Sequence, residues 1–506
     1  MSRSSPKRPE SAALHATIQY RHPIGYPVGM GPLTNGNTPR LTLTGGRLID
    51  PASGIDQVTD LVLEHGKVAS IGTVSKPDGR TIDASGCIVA PGLIDVHVHF
   101  REPGQEEKET IATGSAAAVA GGFTSVCCMP NTSPAIDDDS MIEFVYKQAV
   151  KADLANVYPV GAATKKREGK ELAEIGLMHK AGAVGFSDDG TPVGSAKAMH
   201  QALRYIAMTG QVFMQHCEDP ELGGGAMNAG PLASKLGLAG WPSLAEELMI
   251  ARDIMIAESL NYSARWHAQH MTTAGGAALL REARARYVEA VKTGQAPNDE
   301  FAATGLGRIT GEVSPHHLLL TEQACAGYDT HAKMNPPLRR QSDIDALLEA
   351  VADGTVRLLA TDHAPHTREQ KEREFAVAPY GIIGLECALA LYIKALIEPG
   401  VIDWPRLIAL TSTNHAQLCG LAGKGQLAVG SDADVTVIDP ELAWTIDVGQ
   451  FAGKSSNCPF DGWDVKGRAI ATVVGGEVKL ALDTERVSGI PDLPTAAVHL
   501  TSRVTA

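Results

Sequence analysis

The sequence predicts an α/β fold: a (β/α)8 barrel of the TIM type, with a small β domain assembled from both ends of the chain. Apolar strand-like runs alternate with Ala-rich helical stretches through the middle of the chain. Short β segments separated by turns flank this central block on both sides. A chain of 506 residues is too long for one ordinary core, so a large domain and a smaller one are expected.

Eight strand-then-helix units fit the central block, as a (β/α)8 barrel requires. The strand-like runs are 93–97, 124–129, 157–162, 183–187, 212–217, 263–270, 308–313 and 356–361. The helical patterns occupy 110–120, 139–152, 170–181, 195–209, 244–259, 273–293, 342–353 and 384–397. Functional groups of this fold lie at the C-terminal ends of the strands, so ligand-binding residues are expected there.

The two β-rich flanks span 40–90 and 424–485, and the predicted barrel spans 91–423. Each flank alone is too short for a stable core, which favours one composite β-sandwich domain over two independent β tails. Residues 1–39 are rich in Ser, Pro and Arg and lack the apolar core of a signal peptide, which predicts a poorly ordered extension. Residues 486–506 are predicted to form a C-terminal tail.

Composition excludes several classes of protein. Apolar residues make up 44% and charged residues 20%, as in soluble globular proteins, and the net charge of −14 argues against nucleic acid or an anionic membrane as a partner. No run of about 18 apolar residues predicts a membrane-spanning helix. The eight cysteines show no zinc-ribbon spacing, which indicates reduced, buried thiols in a cytoplasmic protein.

The first central strand ends in a His-x-His pair. Alternate residues of a strand share a face, so His97 and His99 point the same way. Neutral imidazoles are good ligands for a divalent metal. A lone His-x-His is more often structural than functional, so a metal site requires further ligands at other strand ends.

Such residues do follow other central strands. They are Asp188 and Asp189 after the fourth strand, His216 after the fifth, His267 and His270 after the sixth, and Asp362 and His366 after the eighth. This set exceeds the four ligands of one tetrahedral zinc and therefore indicates two metals, which a carboxylate can bridge. Water activated between two cations attacks carbonyl carbons, and a nearby carboxylate can carry the protons.

Longer motifs resemble the dihydroorotases of the amidohydrolase superfamily. The resemblance rests on His97-Val-His-Phe-Arg-Glu-Pro-Gly-Gln-Glu, Gly121-Gly-Phe-Thr, Met129-Pro-Asn-Thr, Ser187-Asp-Asp-Gly, His216-Cys-Glu-Asp, Glu312-Val-Ser-Pro-His-His, Lys333-Met-Asn-Pro-Pro-Leu, Thr361-Asp-His-Ala-Pro-His and Gly384-Leu-Glu. These motifs stand in family order between about residues 41 and 480. The chain is similar to the monofunctional bacterial type, in which an aspartate replaces a carboxylated lysine.

The resemblance implies two zinc ions per chain. His97 and His99 would bind the first zinc, and His216 and His270 the second. Asp189 would bridge the two, and Asp362 would contact the first metal and act as the proton shuttle. His267 competes with His270, and Asp188 with Asp189; family alignment favours His270 and Asp189.

The resemblance also implies a substrate site. Arg101, Asn131 and His366 would hold a substrate carboxylate, with His99 beside them. Asn335 and the backbone of Tyr380 and Gly381 would contact the ring of the substrate. A planar guanidinium pairs bidentately with a carboxylate, which suits Arg101 better than the alternative of a solvated surface charge.

The implied activity is the reversible closure of N-carbamoyl-L-aspartate to (S)-dihydroorotate in pyrimidine biosynthesis. A hydantoinase or dihydropyrimidinase is the closest rival; those relatives usually carry a lysine in place of Asp189 and lack the Arg101–Asn131 pair. An inactive scaffold for aspartate transcarbamoylase is the rival from another class, but such homologues lose metal ligands. The implied partners are the small-molecule substrate, a second copy in a homodimer, and aspartate transcarbamoylase. Extra residues near 281–305 and the segment 1–39 have no role that the sequence reveals.

Overall fold

The computed structural model of the protein describes residues 38–490 apart from residue 78. Its strands are β1 (Leu41–Asp50), β2 (Ile55–Glu64), β3 (Lys67–Ile71), β4 (Arg80–Asp83), β5 (Ile88–Pro91), β6 (Leu93–Val98), β7 (Phe123–Cys128), β8 (Asn156–Pro159), β9 (Gly185–Ser187), β10 (Val212–Gln215), β11 (Met227–Asn228), β12 (Gly240–Trp241), β13 (Arg265–Ala268), β14 (Ile309–Val313), β15 (Leu358–Leu359), β16 (Val435–Thr445), β17 (Asp464–Val474), β18 (Glu477–Ala481) and β19 (Val487–Ser488).

The α-helices alternate with the central strands. They are α1 (Ile111–Ala120), α2 (Asp139–Ala152), α3 (Ile175–Lys180), α4 (Ala196–Ala207), α5 (Pro231–Leu236), α6 (Leu244–Ser259), α7 (Ala274–Lys292), α8 (Glu300–Ala303), α9 (Pro315–Leu319), α10 (Gln341–Ala352), α11 (Arg368–Lys371), α12 (Ala388–Tyr392), α13 (Trp404–Ile408) and α14 (Asn414–Cys419). Single π-helical turns follow α12 at Ile393–Ile397 and α13 at Ala409–Thr413.

Eight central strands pair in parallel and in chain order. They form two arcs, β6–β7–β8 and β9–β10–β13–β14–β15. Parallel bridges from Gly161 to Phe186 and from Val98 to His363 join the two arcs at both edges, so the pairing returns from β15 to β6 and the eight strands act as one central sheet. The predicted α/β class is confirmed, and the C-terminal ends of all eight strands face one side of the molecule.

Local sequence explains why helices cover these strands. In α4, Ala198, Met199, Ala202, Leu203 and Ile206 are buried, which is the spacing of one helix face, and the Ser195 side chain caps the first turn. The two strands beneath α4, which are β10 and β13, are buried on both faces, as in parallel sheets covered by helices. The helices therefore hold the strand ends in fixed positions around a common centre.

A second sheet joins the two flanks of the chain. Its order is β18–β17–β16–β5–β1–β2–β3, and β16 runs antiparallel to β5, with Val435 opposite Pro91 and Ile438 opposite Ile88. Its apolar core draws on both flanks; members include Leu41, Leu43, Leu61, Leu63, Val89, Val435, Val437, Ile470 and Val473. Pairing continues to Ser488, which β19 places against β4, three residues beyond the expected boundary at 485.

Several elements differ in length from the sequence prediction. β13 ends at Ala268 instead of residue 270, since the backbone turns into the left-handed region at His270, with a φ of 32°. β15 has two residues because the amide of Thr361 donates to the Asp95 carboxylate (3.1 Å) instead of to a neighbouring strand. The β11–β12 pair and α5 were not predicted, since they lie in a Gly-rich stretch without periodicity. The extra residues near 281–305 form the second half of α7 and the short α8.

Two further features bear on the class of protein. Among the described helices, none combines the length and the apolar character that crossing a bilayer demands. All eight cysteines are buried free thiols, as the sequence predicts. The segments 1–37 and 491–506, which include most of the expected extension and tail, lie outside the described residues.

Candidate active site

Four histidines surround the Asp189 carboxylate at the C-terminal ends of the central strands. His97 lies in β6, His99 directly follows it, and Asp189 follows β9. The Nε2 atoms of His97 and His99 lie 3.5 Å from Oδ1 and 3.3 Å from Oδ2 of Asp189, respectively. His216 Nδ1, after β10, lies 3.4 Å from Oδ1, and His270 Nε2, after β13, lies 3.5 Å from the same oxygen. Asp189 is thus the common neighbour of both histidine pairs.

The geometry of this cluster fits metal binding. All four nitrogen–oxygen distances exceed the 2.7–3.2 Å of a normal N–H···O hydrogen bond, so the histidines converge on Asp189 without bonding to it. Asp189 Oδ1 and His270 Nδ1 are buried without a hydrogen-bond partner. Three triads within the cluster have ligand atoms within 4.8 Å of one another: His97–His99–Asp189, Asp189–His216–His270 and His97–His270–Asp362. Imidazole and carboxylate donors suit zinc and similar divalent ions.

Asp362 faces the cluster from the loop after β15. Its Oδ1 lies 3.0 Å from His99 Nε2 and 3.5 Å from His97 Nε2, and the side chain is buried. Although burial opposes ionisation, His97 and His99 hold the pKa of Asp362 below its ordinary value. Asp362 is therefore a carboxylate at neutral pH and can accept a proton.

The surrounding carboxylates stabilise positive charge on two of the histidines, His97 and His216. Burial disfavours protonation of His97, yet Asp189, Asp362 and Glu312 raise its pKa well above the ordinary value. Burial acts likewise on His216, yet the carboxylates of Asp189 and Glu218 beside its ring nitrogens raise its pKa to about 9. A site that stabilises imidazolium stabilises a divalent cation for the same electrostatic reason.

Glu312 supports the cluster from behind, a role that the sequence analysis did not assign. Its Oε1 lies 2.6 Å from His97 Nδ1, and its Oε2 lies 3.0 Å from Nε2 of His267. His267 also lies 2.8 Å from the Thr310 hydroxyl and does not border the cluster. The structure therefore places His270 in the cluster and His267 with Glu312. The signal in the sequence was the position of Glu312 inside the seventh strand, where a lone carboxylate needs a partner.

The two adjacent aspartates after β9 do different things. Asp188 Oδ1 accepts hydrogen bonds from the amides of Ala163 (2.9 Å) and Thr164 (3.0 Å), which fixes the preceding loop. Asp189 alone turns toward the histidines. The Arg167 guanidinium donates to the carbonyl oxygen of Asp189, a second contact that the sequence analysis missed.

Arg101 and Asn131 border the cluster on one side. Asn131 Oδ1 lies 2.8 Å from His99 Nδ1, so its amide nitrogen is left to donate elsewhere. Arg101 is 7% exposed, and in the described part of the chain its guanidinium donates to one acceptor, the carbonyl oxygen of Pro365 at 3.3 Å, and pairs with no carboxylate. Burial lowers the pKa of Arg101 to about 10, so it remains charged. A buried guanidinium without a carboxylate partner is suited to an anionic ligand.

His366, Gly381 and Tyr380 lie together beyond Arg101. Burial lowers the pKa of His366 to about 2, so the ring is neutral, and its Nδ1 lies 3.3 Å from Gln370 Oε1. Gly381 has a φ of 148°, and a Cβ there would lie 2.7 Å from His366 Cδ2. The Tyr380 hydroxyl donates to the Gly225 carbonyl at 3.0 Å. Asn335 Nδ2 donates to Glu218 Oε2 (3.2 Å), while its Oδ1 is buried without a partner.

Two buried lysines, also missed by the sequence analysis, hold the loop that contains Gly381. Lys333 Nζ donates to the carbonyl oxygens of Phe375 (2.6 Å) and Ala378 (2.7 Å). Lys371 Nζ donates to those of Pro379 and Gly381, both at 3.0 Å. Burial, helped by Lys333, lowers the pKa of Lys371 to about 7. The two lysine side chains thus fix this loop by binding its backbone carbonyls.

Comparison with known proteins identifies the family. A family model described as dihydro-orotase-like matches residues 86–274. The dihydroorotase of Pelotomaculum thermopropionicum is 46% identical over 441 residues, which are 87% of this chain and 98% of that protein. The dihydroorotase of Syntrophotalea carbinolica is 45% identical over 445 residues, which are 88% and 99% of the two chains. The chain belongs to the dihydroorotase family. As a member, it is a metal-dependent cyclic amidohydrolase.

Solved structures of related enzymes resemble this dihydroorotase-family chain over most of its length. L-hydantoinase (dihydropyrimidinase) from Arthrobacter aurescens superimposes with a TM-score of 0.74 at 26% identity, covering 87% of this chain and 95% of that one. D-hydantoinase (dihydropyrimidinase) from Thermus sp. gives 0.68 at 27% identity, covering 87% and 94%. The dihydroorotase family therefore shares its fold with the hydantoinases.

Proposed function

We propose that the chain is a dihydroorotase, which catalyses the reversible cyclisation of N-carbamoyl-L-aspartate to (S)-dihydroorotate in de novo pyrimidine biosynthesis. Identity of 46% with a dihydroorotase over almost its whole length supports this. The observation that carries the proposal is the buried Arg101 guanidinium, free of a protein carboxylate among the described residues and beside the histidine cluster. Dihydroorotate has a ring carboxylate that a buried guanidinium can bind. Dihydropyrimidines without a carboxylate offer it no such partner.

The donor set supports two zinc ions per chain. His97, His99 and Asp362 would hold one, His216 and His270 the other, and Asp189 would bridge them. When bound, the metals supply Lewis-acid activation of the amide carbonyl and of the attacking water. Asp189 lies near all four histidines, which is what a bridging carboxylate requires.

Asp362 is the proposed proton carrier. In the hydrolytic direction a C–O bond forms at the ring carbonyl carbon and the C–N bond breaks. Asp362 accepts the proton of the attacking water and delivers it to the departing ring nitrogen; ring closure follows the same steps in reverse. Its ionised form at neutral pH and its position 3.0 Å from His99 Nε2 support this role.

The substrate carboxylate is assigned to Arg101, Asn131 and His366, with His99 at the edge of the same pocket. Arg101 supplies the charge, the amide nitrogen of Asn131 is available to donate, and the neutral ring of His366 forms a further wall of the pocket. The amide of Asn335 and the backbone of Tyr380 and Gly381 are proposed to contact the ring. The unpartnered Asn335 Oδ1 supports its part in ligand binding.

The proposal extends to architecture. We assign the eight central strands and their helices to one (β/α)8 barrel at 91–423, and the flanks 40–90 and 424–485 to one β-sandwich domain. The parallel pairing that returns to β6 supports the barrel, and the shared core of the second sheet supports the composite domain. Residues 1–39 and 486–506 are assigned to an extension and a tail.

The proposed setting is the cytoplasm, with a homodimer as the assembly and aspartate transcarbamoylase as an associated enzyme. Eight buried free thiols support a reducing compartment. The net charge of −14 supports the absence of nucleic acid and of anionic membrane among the partners. The partner enzyme is proposed because its reaction would supply the linear substrate.

Substrate choice tests the function. Wild-type protein should turn over dihydroorotate efficiently and dihydrouracil poorly. A charge-assisted pair contributes about 1.5–3 kcal/mol, so Arg101→Met should lose about one to two orders of magnitude in affinity for dihydroorotate while keeping its metals. Preference of the wild type for dihydrouracil, or unchanged preference in Arg101→Met, would overturn the assignment in favour of a hydantoinase. Metal content near zero would instead favour a scaffold protein.

A further inference from the structure

A segment of the second sheet reaches the substrate side of the active site. Residues 452–458, called the strut below, connect β16 to β17 but lie against loops that follow the central strands. The amides of Ala452 and Gly453 donate to Glu386 Oε1 at 2.9 and 3.1 Å. The hydroxyl of Ser455 donates to the carbonyl of Lys108 at 2.9 Å. The strut is thus bonded to the loops after β6 and β15.

Asn457 makes the innermost contacts of the strut. It is 1% exposed, and its Oδ1 accepts a hydrogen bond from the His366 amide at 3.1 Å. Its Nδ2 donates to the carbonyl oxygens of Ala364 (3.0 Å) and Gly381 (2.9 Å). Its own carbonyl accepts from the Ile383 amide at 3.1 Å. One side chain therefore joins the loop that contains His366 to the loop that contains Gly381.

The two loops are in direct contact where Asn457 joins them. A Cβ on Gly381 would lie 2.6 Å from the Ala364 carbonyl oxygen and 2.7 Å from Cδ2 of His366, so the Gly381 backbone packs against the imidazole. The amide of Ala364 also donates to the Ile382 carbonyl at 2.9 Å. Displacing one loop therefore displaces the ring of His366, since no space separates the two.

We propose that Asn457 is a positioning residue that sets the affinity of the site for the substrate carboxylate, by fixing His366 against Gly381. The proposal rests on the proposed function, in which His366 and Arg101 receive that carboxylate. Asn457 reaches no atom of the histidine cluster. Its loss is expected to change substrate binding and to leave metal binding intact.

The variant Asn457→Asp isolates this role, because it keeps the shape and the acceptor for the His366 amide. It replaces the Nδ2 donor with a carboxylate oxygen facing the carbonyls of Ala364 and Gly381, which repel it. The KM for dihydroorotate should rise about tenfold, with kcat within about threefold of wild type. Metal content should not change. The ratio of kcat/KM for dihydroorotate to that for dihydrouracil should fall, because only the carboxylate-bearing substrate uses His366.

A buried asparagine elsewhere serves as the matched control. Asn156 Nδ2 donates to Thr124 O and to Asp434 Oδ2, both at 3.0 Å, at the other end of the central strands. Asn156→Ala should lower the melting temperature and leave the KM unchanged. If Asn457→Asp does not fold, Asn457→Ser is measured against the same criteria, since it is smaller and uncharged.

The outcomes separate this inference from the function on which it rests. Wild-type turnover of dihydroorotate with a KM within twofold of wild type in both Asn457 variants overturns the inference alone. Equal losses on both substrates, or lost metal, also overturn it, because they indicate a merely structural role. Absence of dihydroorotate turnover in the wild type overturns the proposed function and this inference with it.

Discussion

At the scale of the residue, Asp362 has an unusual backbone conformation as well as a proposed chemical role. Its φ of 48° lies in the left-handed region, which Asn and Asp adopt more readily than most residues. Asp362→Asn is therefore a substitution that the backbone accepts while the proposed proton acceptor is lost. Turnover should fall by about two to four orders of magnitude. Metal content should fall much less than in His97→Ala, and near-wild-type turnover would remove Asp362 from the mechanism.

Glu312 offers a second test at this scale. Its carboxylate bonds His97 and His267, and these histidines hold its pKa well below the ordinary value against the effect of burial. The Glu312 carboxylate orients His97 and makes its imidazole more basic, and Glu312→Gln removes that negative charge. Metal affinity should fall about 10- to 100-fold, measured by competition with a chelator. Unchanged affinity would show that His97 needs no such partner.

The residues that border the cluster were predictable from the sequence, and their supports were not. His97, His216 and Asp189 follow strands, and strand ends of parallel sheets meet at one edge. Glu312 contacts the ring nitrogen of His97 that faces away from Asp189, and Arg167 contacts the backbone carbonyl of Asp189. Contacts of that kind depend on the packing of distant segments, which periodicity does not report.

At the scale of the element, the loop held by Lys333 and Lys371 makes the stability of the protein depend on pH. Burial lowers the pKa of Lys371 from 10.5 to about 7, so between these values the unfolded chain binds more protons than the folded chain. The free energy of unfolding therefore rises with pH across this window, by at most about 1.4 kcal/mol per pH unit for one proton. In Lys371→Met that rise should be smaller, as measured by urea unfolding at several pH values. The exposed Lys147 provides the control, and equal slopes in wild type and Lys371→Met would contradict the prediction.

Element boundaries were harder to predict than element types. β13 and β15 are short because the backbone turns at His270 and because the Thr361 amide bonds to Asp95 instead of to a neighbouring strand. Functional residues at strand ends take unusual backbone conformations, and these are invisible in a pattern of apolar residues. The buried lysines were missed for a related reason, since a sequence does not show which carbonyls a loop leaves unpaired.

At the scale of the whole molecule, the shared core predicts that the flanks are inseparable. Val435, Val437, Ile470 and Val473 pack with Leu41 and Leu43 in one core. Each fully buried side chain of this kind contributes about 1.5–3 kcal/mol, so together they approach the stability of an entire domain. Truncation near Gly423 should therefore give insoluble or rapidly degraded protein. Supplying 424–490 as a separate chain should restore solubility, whereas a soluble, active truncated protein would refute the prediction.

The antiparallel pairing of β5 with β16 also means that β5 is synthesised long before its partner strand. Ile88 lies opposite Ile438, and a ribosome adding about 5–20 residues per second needs roughly 20–70 s to pass from one to the other. During that delay β1–β5 present an open strand edge, the kind that captures other chains. Nascent chains arrested near residue 425 should therefore be cleaved by protease within β1–β5, and full-length chains should resist. The interval before the last strands emerge, more than any weakness of the finished protein, is when the cell must shield it from its neighbours.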